Sequence, residues 1–160
     1  MIVYSFAWRR NGHSPCNVRL ALAAKRILES SAEPILIMAQ RSIADVLREM
    51  GVECHVVKKR PGYEGSEEVT RQATPLFRES KITKVIPVAQ PFLQLTKCIT
   101  LIRGEGFRTE SFWSLAKMVG WIGFDHLSVQ PATRGPLVCL AYTVWQILTE
   151  YRPPEEQSEP

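Results

Sequence analysis

The stretch Ile2-Val3-Tyr4-Ser5-Phe6-Ala7, followed by Ser14-Pro15, decides the fold of this chain. Its apolar and β-forming residues predict a buried strand. Ser14-Pro15 is typical of a helix N-cap and first helical position. The apolar residues that follow recur at i, i+3, i+4, i+7 and i+8, which predicts one buried helical stripe: Leu20, Ala23, Ala24, Ile27 and Leu28. A strand that delivers a polar loop to a helix N-terminus is the usual way in which an α/β protein builds a site.

The alternation of strands and helices continues along the chain. Further strands are predicted at residues 35–39, 52–57, 85–89 and 107–112. Helices are predicted at 42–50, 66–77, 92–102 and 137–148, with a short helix and a covering loop within 113–130. Continuous apolarity at 35–39 favours a parallel sheet that is covered on both faces. Pro75 should kink its helix or mark the helix start, and Pro87 should not lie in a central strand.

These elements predict a single α/β domain over residues 1–151. We expect a three-layer Rossmann-like fold with a mostly parallel five-stranded sheet and helices on both faces. Residues 152–160 are rich in proline and glutamate, so we expect a disordered tail.

Composition excludes several classes of protein. The chain has 160 residues, 45% hydrophobic and 22% charged, as in an ordinary soluble globular protein. Its net charge of +4 comes with short, separated basic clusters, Arg9-Arg10 and residues 58–60, which argue against a nucleic-acid partner. No apolar run reaches the length of about 20 residues that a membrane span needs. Four cysteines without a CxxC pair, and no signal peptide, predict free thiols and a cytoplasmic location.

The polar residues near the predicted strand ends suggest a ligand site. In a doubly wound sheet, ligands lie at the carboxyl ends of the strands, which here are followed by loops 7–14, 40–41, 58–66 and 90–92. Uncapped amides at a helix N-terminus and a nearby arginine favour an anion such as phosphate or carboxylate. The predicted ligand-binding residues are Ser5, Asn11, Ser14, Asn17, Arg19, Gln40, Ser66, Glu68, Gln90 and Gln94. In the alternative, these residues only cap helices and turns, and neither standard nucleotide loop, GxGxxG or GxxxxGK[ST], is present.

Three residues are candidates for catalysis. Cys16 lies in the first helical turn, where the helix dipole would lower the pKa of its thiol. Glu68 could supply a base, and His126 could be an imidazole delivered by the covering loop. The alternatives are a buried inert cysteine, a helix-capping glutamate and a partly buried loop histidine. Cys54-His55 lies on a predicted strand with its side chains on opposite faces, so no metal site is predicted.

The order of these segments resembles the YdcF-like family, also called SanA- or ElyC-like, which is the bacterial domain of unknown function 218. The resemblance covers residues 2–148. An arginine on the first helix is matched by Arg19 in Ser14-x-x-Asn17-x-Arg19. Gly51-Val52 is similar to the entry to the family's third strand. Ser66-Glu67-Glu68-Val69 matches two positions of the T-x-E-N signature.

The chain departs from the family pattern at several positions. Val69 replaces the asparagine of T-x-E-N, and Leu93 replaces a histidine after Phe92. The family has an arginine shortly after that histidine, and the nearest cation to that position here is Lys97. The glycines after the first two strands are replaced around Ala7 and residues 39–40. The resemblance implies a Rossmann-like fold, a link of some relatives with envelope biogenesis, and S-adenosylmethionine binding in part of the family. We expect the fold to survive these substitutions, whereas they put a shared activity in doubt.

The sequence therefore leaves three functions open. The first is a YdcF-like protein that binds a small anionic or nucleotide-like ligand, with S-adenosylmethionine as one candidate. The second is a hydrolase or a thiol-dependent enzyme that uses Cys16. The third is a non-catalytic interaction protein with a degenerated site. The helix at 137–148 is apolar nearly all round, so Trp145 should be buried, either beneath residues 113–124 or in a homodimer contact.

Overall fold

Short parallel strands alternate with helices in this structure. The computed structural model describes residues 1–58, 65–130, 133–138 and 140–141. The named elements in these ranges, in chain order, are β1 (Ile2–Val3), α1 (Pro15–Glu29), β2 (Met38–Ala39), α2 (Arg41–Glu49), β3 (His55–Val56), α3 (Ser66–Glu79), β4 (Pro87–Val88), α4 (Leu95–Gly104) and α5 (Phe112–Val119). Residues 136–138 and 140–141 are also helical. The predicted α/β class is confirmed.

The four strands form one parallel sheet in the order β3-β2-β1-β4. β1 is central: Ile2 lies opposite Met38 of β2 on one side and Pro87 of β4 on the other. The chain adds β2 and β3 on one side of β1 and then crosses to the other side for β4. The order of the strands therefore reverses between β1 and β4, next to the loop that follows β1.

Helices cover both faces of the sheet. Successive β1 side chains therefore pack into two different cores, one on each face. Val3 packs in a cluster with the apolar faces of α1 and α2, including Leu20 and Ile43. Ile2 and Tyr4 pack in a second cluster with the apolar faces of α3 and α4. α5 closes the β4 side, because its Leu115 joins the second cluster and its Val119 joins the first. Helices on two faces leave the strand ends as the accessible edge of the sheet.

The predicted fifth strand at residues 107–112 is wrong for the described chain. Only Arg108 pairs there, in an isolated parallel bridge to Lys84. Phe107 instead packs edge-on against Phe77, with ring centroids 6.1 Å apart. Ser111 accepts a hydrogen bond from the amide of Ser114 and so caps α5, whose first residue is Phe112. A helix cap therefore ends the extended stretch before a strand can form.

Both prolines that conflicted with the predicted elements are tolerated. β4 is an edge strand among the four, where a missing N–H costs no hydrogen bond if it faces outward. The carbonyls of Ile86 and Val88 accept from β1, which leaves Pro87 facing the open side. α3 runs from Ser66 to Glu79 and contains Pro75, so Pro75 does not mark the helix start.

The last helix does not pack on the core in its described part. Leu137 is 80% exposed and Leu140 is 61% exposed. These two apolar residues are therefore not covered by the rest of the described chain. Trp145, the rest of the 137–148 helix, the tail at 152–160 and the Pro61-Gly62 turn lie outside the described residues. No helix in the described ranges has the length and apolarity to cross a membrane.

Candidate functional site

The carboxyl edge of the sheet collects the N-termini of four helices. Because the strands are parallel and each is followed by a helix, α1 to α4 all begin at this edge. Ser14 caps α1 by accepting a hydrogen bond from the amide of Cys16 at 3.3 Å. Gln40, the N-cap residue of α2, makes no side-chain cap bond. Helix N-termini carry partial positive charge, so this edge favours anions.

A buried network, which we call the inner polar network, fixes the loop after β1. Its members are Ser5, Asn17, Gln40, Ser42 and Gln94. Asn17 is 1% exposed, and its Oδ1 accepts from the amides of Phe6 at 3.1 Å and Ala7 at 3.4 Å. Its Nδ2 donates to the carbonyl of Ala7 and to the hydroxyls of Ser5 and Ser42. Asn17 therefore holds the loop backbone, which is a structural role.

The remaining members tie β1 to the neighbouring strand ends. Gln40 Oε1 accepts from the amide of Ser5 at 2.5 Å, and Gln94 Nε2 donates to the Ser5 carbonyl at 2.9 Å. Gln94 Nε2 also lies 3.4 Å from Ser66 Oγ. Gln94 Oε1 is buried and has no hydrogen-bond partner among the described residues. An unpaired buried acceptor of this kind is rare in proteins and offers a position for a donor.

Gln90 does not face a ligand. It is fully buried, and its Oε1 accepts from the amides of Phe92 and Leu93 at 2.9 and 2.8 Å. Its Nε2 donates to the Ile122 carbonyl at 3.3 Å. Gln90 thus provides the hydrogen-bond acceptor for the backbone amides of the turn that enters α4. This agrees with the alternative that the residue only caps a turn.

A long-range ion pair positions the outer part of the same loop. Arg9 donates from Nε and Nη2 to the two carboxylate oxygens of Asp125, at 2.7 and 2.6 Å. Asp125 is 1% exposed, and the Arg9 guanidinium is the main cause that lowers the pKa of its carboxyl from 3.8 to about 2. The Val129 amide donates to the Trp8 carbonyl at 2.7 Å. The loop after β1 is therefore clamped to residues 125–129.

A cleft of about 240 Å³ opens at the N-termini of α1 and α2; we call it the helix-end cleft. Its lining is Trp8, Arg9, Arg10, Gly12, His13, Ser14, Asn17, Ser42 and Asp45. The one carboxylate among these described lining residues, on Asp45, pairs with Arg48 at 2.6 Å. Arg10 is exposed and makes no hydrogen bond or ion pair to the described residues. The cleft is therefore positively charged and suits a small anionic group.

The catalytic candidates do not meet at this cleft. Cys16 is 2% exposed, its Sγ lies 3.2 Å from the Gly123 carbonyl, and burial raises the pKa of its thiol. The prediction of a lowered thiol pKa is wrong, because desolvation outweighs the hydrogen bond from Ser14 and the nearby arginines. Glu68 is held on α3 by Arg71 and Gln72. His126 is exposed on the loop beside Asp125.

The structure brings some of the predicted ligand residues together and separates others. Ser14 and Asn17 line the helix-end cleft, whereas Ser5, Gln40, Gln94 and Ser66 lie around the inner polar network. Asn11 faces a different opening, described below. Arg19 lies in a groove beside α5 with Leu22 and Trp121. Glu68 and Gln90 are engaged elsewhere.

Sequence reasoning missed the residues that give the cleft its charge and anchor it. Arg9 and Arg10 lie in the loop between β1 and α1, a position that brings them to the strand ends. Ser42 is the second residue of α2, and its position shortly after β2 is a signal of the same kind. Asp125 pairs with Arg9 across 116 residues, and no local pattern predicts that pairing.

Comparisons with known proteins give no family. No family model matches the sequence, and no curated protein and no solved structure is similar enough to count as a match. The resemblance to the YdcF-like family therefore stays a hypothesis. In the described ranges, no three His, Cys, Asp or Glu side chains lie together as metal ligands.

Proposed function

We propose that this protein binds a small anionic or nucleotide-like ligand at the carboxyl edge of its parallel sheet. The observation that carries the proposal is the helix-end cleft, in which Arg10 is left without a partner among the described residues. Ser14, Asn17 and Ser42 form part of the cleft wall on the α1 and α2 sides. An anion seated there would be attracted by the partial charges of two helix N-termini and by Arg10.

We also propose that the fold is Rossmann-like. The reversal of strand order between β1 and β4 supports this, because such a reversal is a feature of doubly wound sheets. These sheets bind their ligands at that point. S-adenosylmethionine belongs in the proposal as the ligand that the YdcF-like resemblance implies. Its carboxylate would occupy the helix-end cleft.

The candidate catalytic residues do not come together in the described part of the chain, so we propose binding rather than catalysis. Cys16 is buried with a raised thiol pKa, and Glu68 is held by its neighbours on α3. The hydrolase and thiol-enzyme alternatives therefore have no supporting geometry in the described part of the chain.

Titration calorimetry tests the proposal with inorganic phosphate, adenosine monophosphate and S-adenosylmethionine as probes. We expect at least one probe to bind, and Arg10→Gln to weaken it about tenfold, as the loss of one charge-assisted hydrogen bond predicts. The matched control is Arg26→Gln, which removes the same charge from an exposed position at the far end of α1. No heat from any probe, or equal weakening by both variants, would contradict the proposal.

The exposed start of the last helix favours a second proposal, a homodimer through residues 137–148. Leu137 and Leu140 are exposed, and large apolar side chains grouped on a surface are typical of contact sites. Light scattering of the wild type and of Leu140→Glu tests it. We expect a dimer that the substitution dissociates; a wild-type monomer at high concentration would exclude the contact.

A further inference from the structure

A second opening lies on the other side of Arg9 and Arg10, and we call it the arginine cleft. It has a volume of about 410 Å³. Its lining is Arg9, Arg10, Asn11, Leu127, Ser128, Val129 and Arg134. Three guanidinium groups thus line one opening, and no carboxylate lies among the described lining residues.

Two of the three arginines are anchored and still have donors left. Arg9 spends Nε and one N–H of Nη2 on Asp125, which leaves three of its five donors. Arg134 donates from Nε to the Ser128 carbonyl at 2.8 Å, which leaves the four N–H groups of its two terminal nitrogens. Anchored guanidinium groups lose less conformational entropy when they bind an anion, so the site is partly preorganised.

The segment that carries Arg134 is itself held against the loop after β1. Ser128 Oγ and the Trp8 backbone exchange hydrogen bonds at 3.2 and 3.3 Å. Thr133 Oγ1 lies 2.7 Å from Ser128 Oγ, and the Thr133 carbonyl accepts from the amide of Asp125 at 2.9 Å. These buried contacts therefore fix the spacing between Arg9 and Arg134.

We infer that the ligand of the helix-end cleft carries a second anionic group, phosphate or carboxylate, that binds in the arginine cleft. This inference rests on the proposed function, because the two clefts share Arg9 and Arg10 and so lie side by side. The uncharged walls formed by Leu127 and Val129 would contact the part of the ligand next to this group. The ligand class is thus a compound with two separated anionic groups, such as a nucleotide with more than one phosphate.

Calorimetry with inorganic phosphate and inorganic triphosphate tests the inference on wild type, Arg134→Gln and Arg134→Lys. Phosphate offers one anionic group, whereas triphosphate offers two terminal groups. We expect Arg134→Gln to weaken triphosphate about tenfold and to change phosphate binding less than twofold. Arg134→Lys keeps the charge and should recover most of the affinity for triphosphate. Melting curves of the variants check that each is folded, which the exposure of Arg134 favours.

The other outcomes separate this inference from the proposed function. If both probes bind and Arg134→Gln weakens neither, the second site is refuted and the proposed function stands. If Arg134→Gln weakens both probes equally, the protein has one anion site, in the arginine cleft, and the two-group ligand is refuted. If neither probe binds any variant, the proposed function fails and the inference fails with it.

Discussion

The inner polar network and the arginines outside it occupy the same edge of the sheet and behave differently. The side chain of Asn17 is buried and spends its donors and acceptors on the protein's own backbone and hydroxyls. Arg10 is exposed and makes no contact of this kind with the described residues. The comparison teaches that polar residues near strand ends are not equivalent: those in the inner layer shape the loop, and those in the outer layer are available to a ligand.

The largest expected effect comes from breaking the inner layer. Asn17→Ala removes the acceptor for two backbone amides and the donor to the Ala7 carbonyl. Leaving such groups buried and unpaired should cost about 2 to 4 kcal/mol of unfolding free energy. Urea denaturation measures the loss. Asn11→Ala is the matched control, because Asn11 is exposed, and it should change stability by less than about 0.5 kcal/mol. Equal stability of the two variants would show that the network does not hold the loop.

A smaller, pH-dependent effect is expected at the clamp between the two layers. The carboxyl of Asp125 has a pKa of about 2 in the folded protein, against 3.8 for an ordinary aspartate. Because the folded state favours the carboxylate, the stabilisation is fully present above about pH 4 and is lost as the pH falls through about 2. Wild type should therefore exceed Asp125→Asn in stability at pH 6, and the difference should shrink toward pH 2. A pH-independent difference in urea denaturation would contradict this account of the clamp.

The next prediction concerns the rate at which the cysteine thiols are alkylated, which should be low for Cys16. Cys16 is buried with a raised thiol pKa, whereas Cys54 is half-buried, so iodoacetamide should modify Cys16 more slowly than Cys54 in the folded protein. Peptide mass spectrometry after timed alkylation measures both rates. Faster modification of Cys16 than of Cys54 would support the alternative function of a thiol-dependent enzyme that uses Cys16.

The smallest stability effect is expected in the outer layer. Arg10→Gln alters an exposed side chain without a partner in the described chain, so the unfolding free energy should change by less than about 0.5 kcal/mol. Its effect should appear in anion affinity alone. A loss of stability comparable to that of Asn17→Ala would place Arg10 in the inner layer.

Much of the fold is predictable from local patterns, because the helix signals are local. Ser14-Pro15 and the apolar stripe after it predict α1, and Gly51, with a positive φ of 73°, is the kind of residue that ends a helix such as α2. The strands form only two-residue ladders, so their lengths are overestimated from apolar runs such as 35–39. The fifth strand fails because Ser111 can cap a helix as readily as end a strand, and the tertiary packing of Phe107 decides between them.

The site is less predictable, because its geometry depends on contacts far apart in sequence. The strand-end rule selects the region that holds Ser14 and Asn17. It cannot distinguish a side chain that binds the backbone, such as Gln90, from one that faces the cleft. Neither the Arg9 pairing with Asp125 nor the position of Arg134 has a local signal, since each depends on the contacts of residues 125–130 and 133–134 with the loop after β1 or with one another.

The most direct test of the central claim is a two-dimensional ¹H–¹⁵N NMR titration of the protein with inorganic phosphate. The account predicts that the largest shift changes fall on the amides of residues 9–14, 16–17 and 41–42, at the N-termini of α1 and α2. Arg10→Gln should reduce these changes, and Arg26→Gln should leave them as they are. Changes centred on the groove of Arg19, Leu22 and Trp121, or no saturable change at any amide, would contradict the claim that this edge of the sheet binds anions.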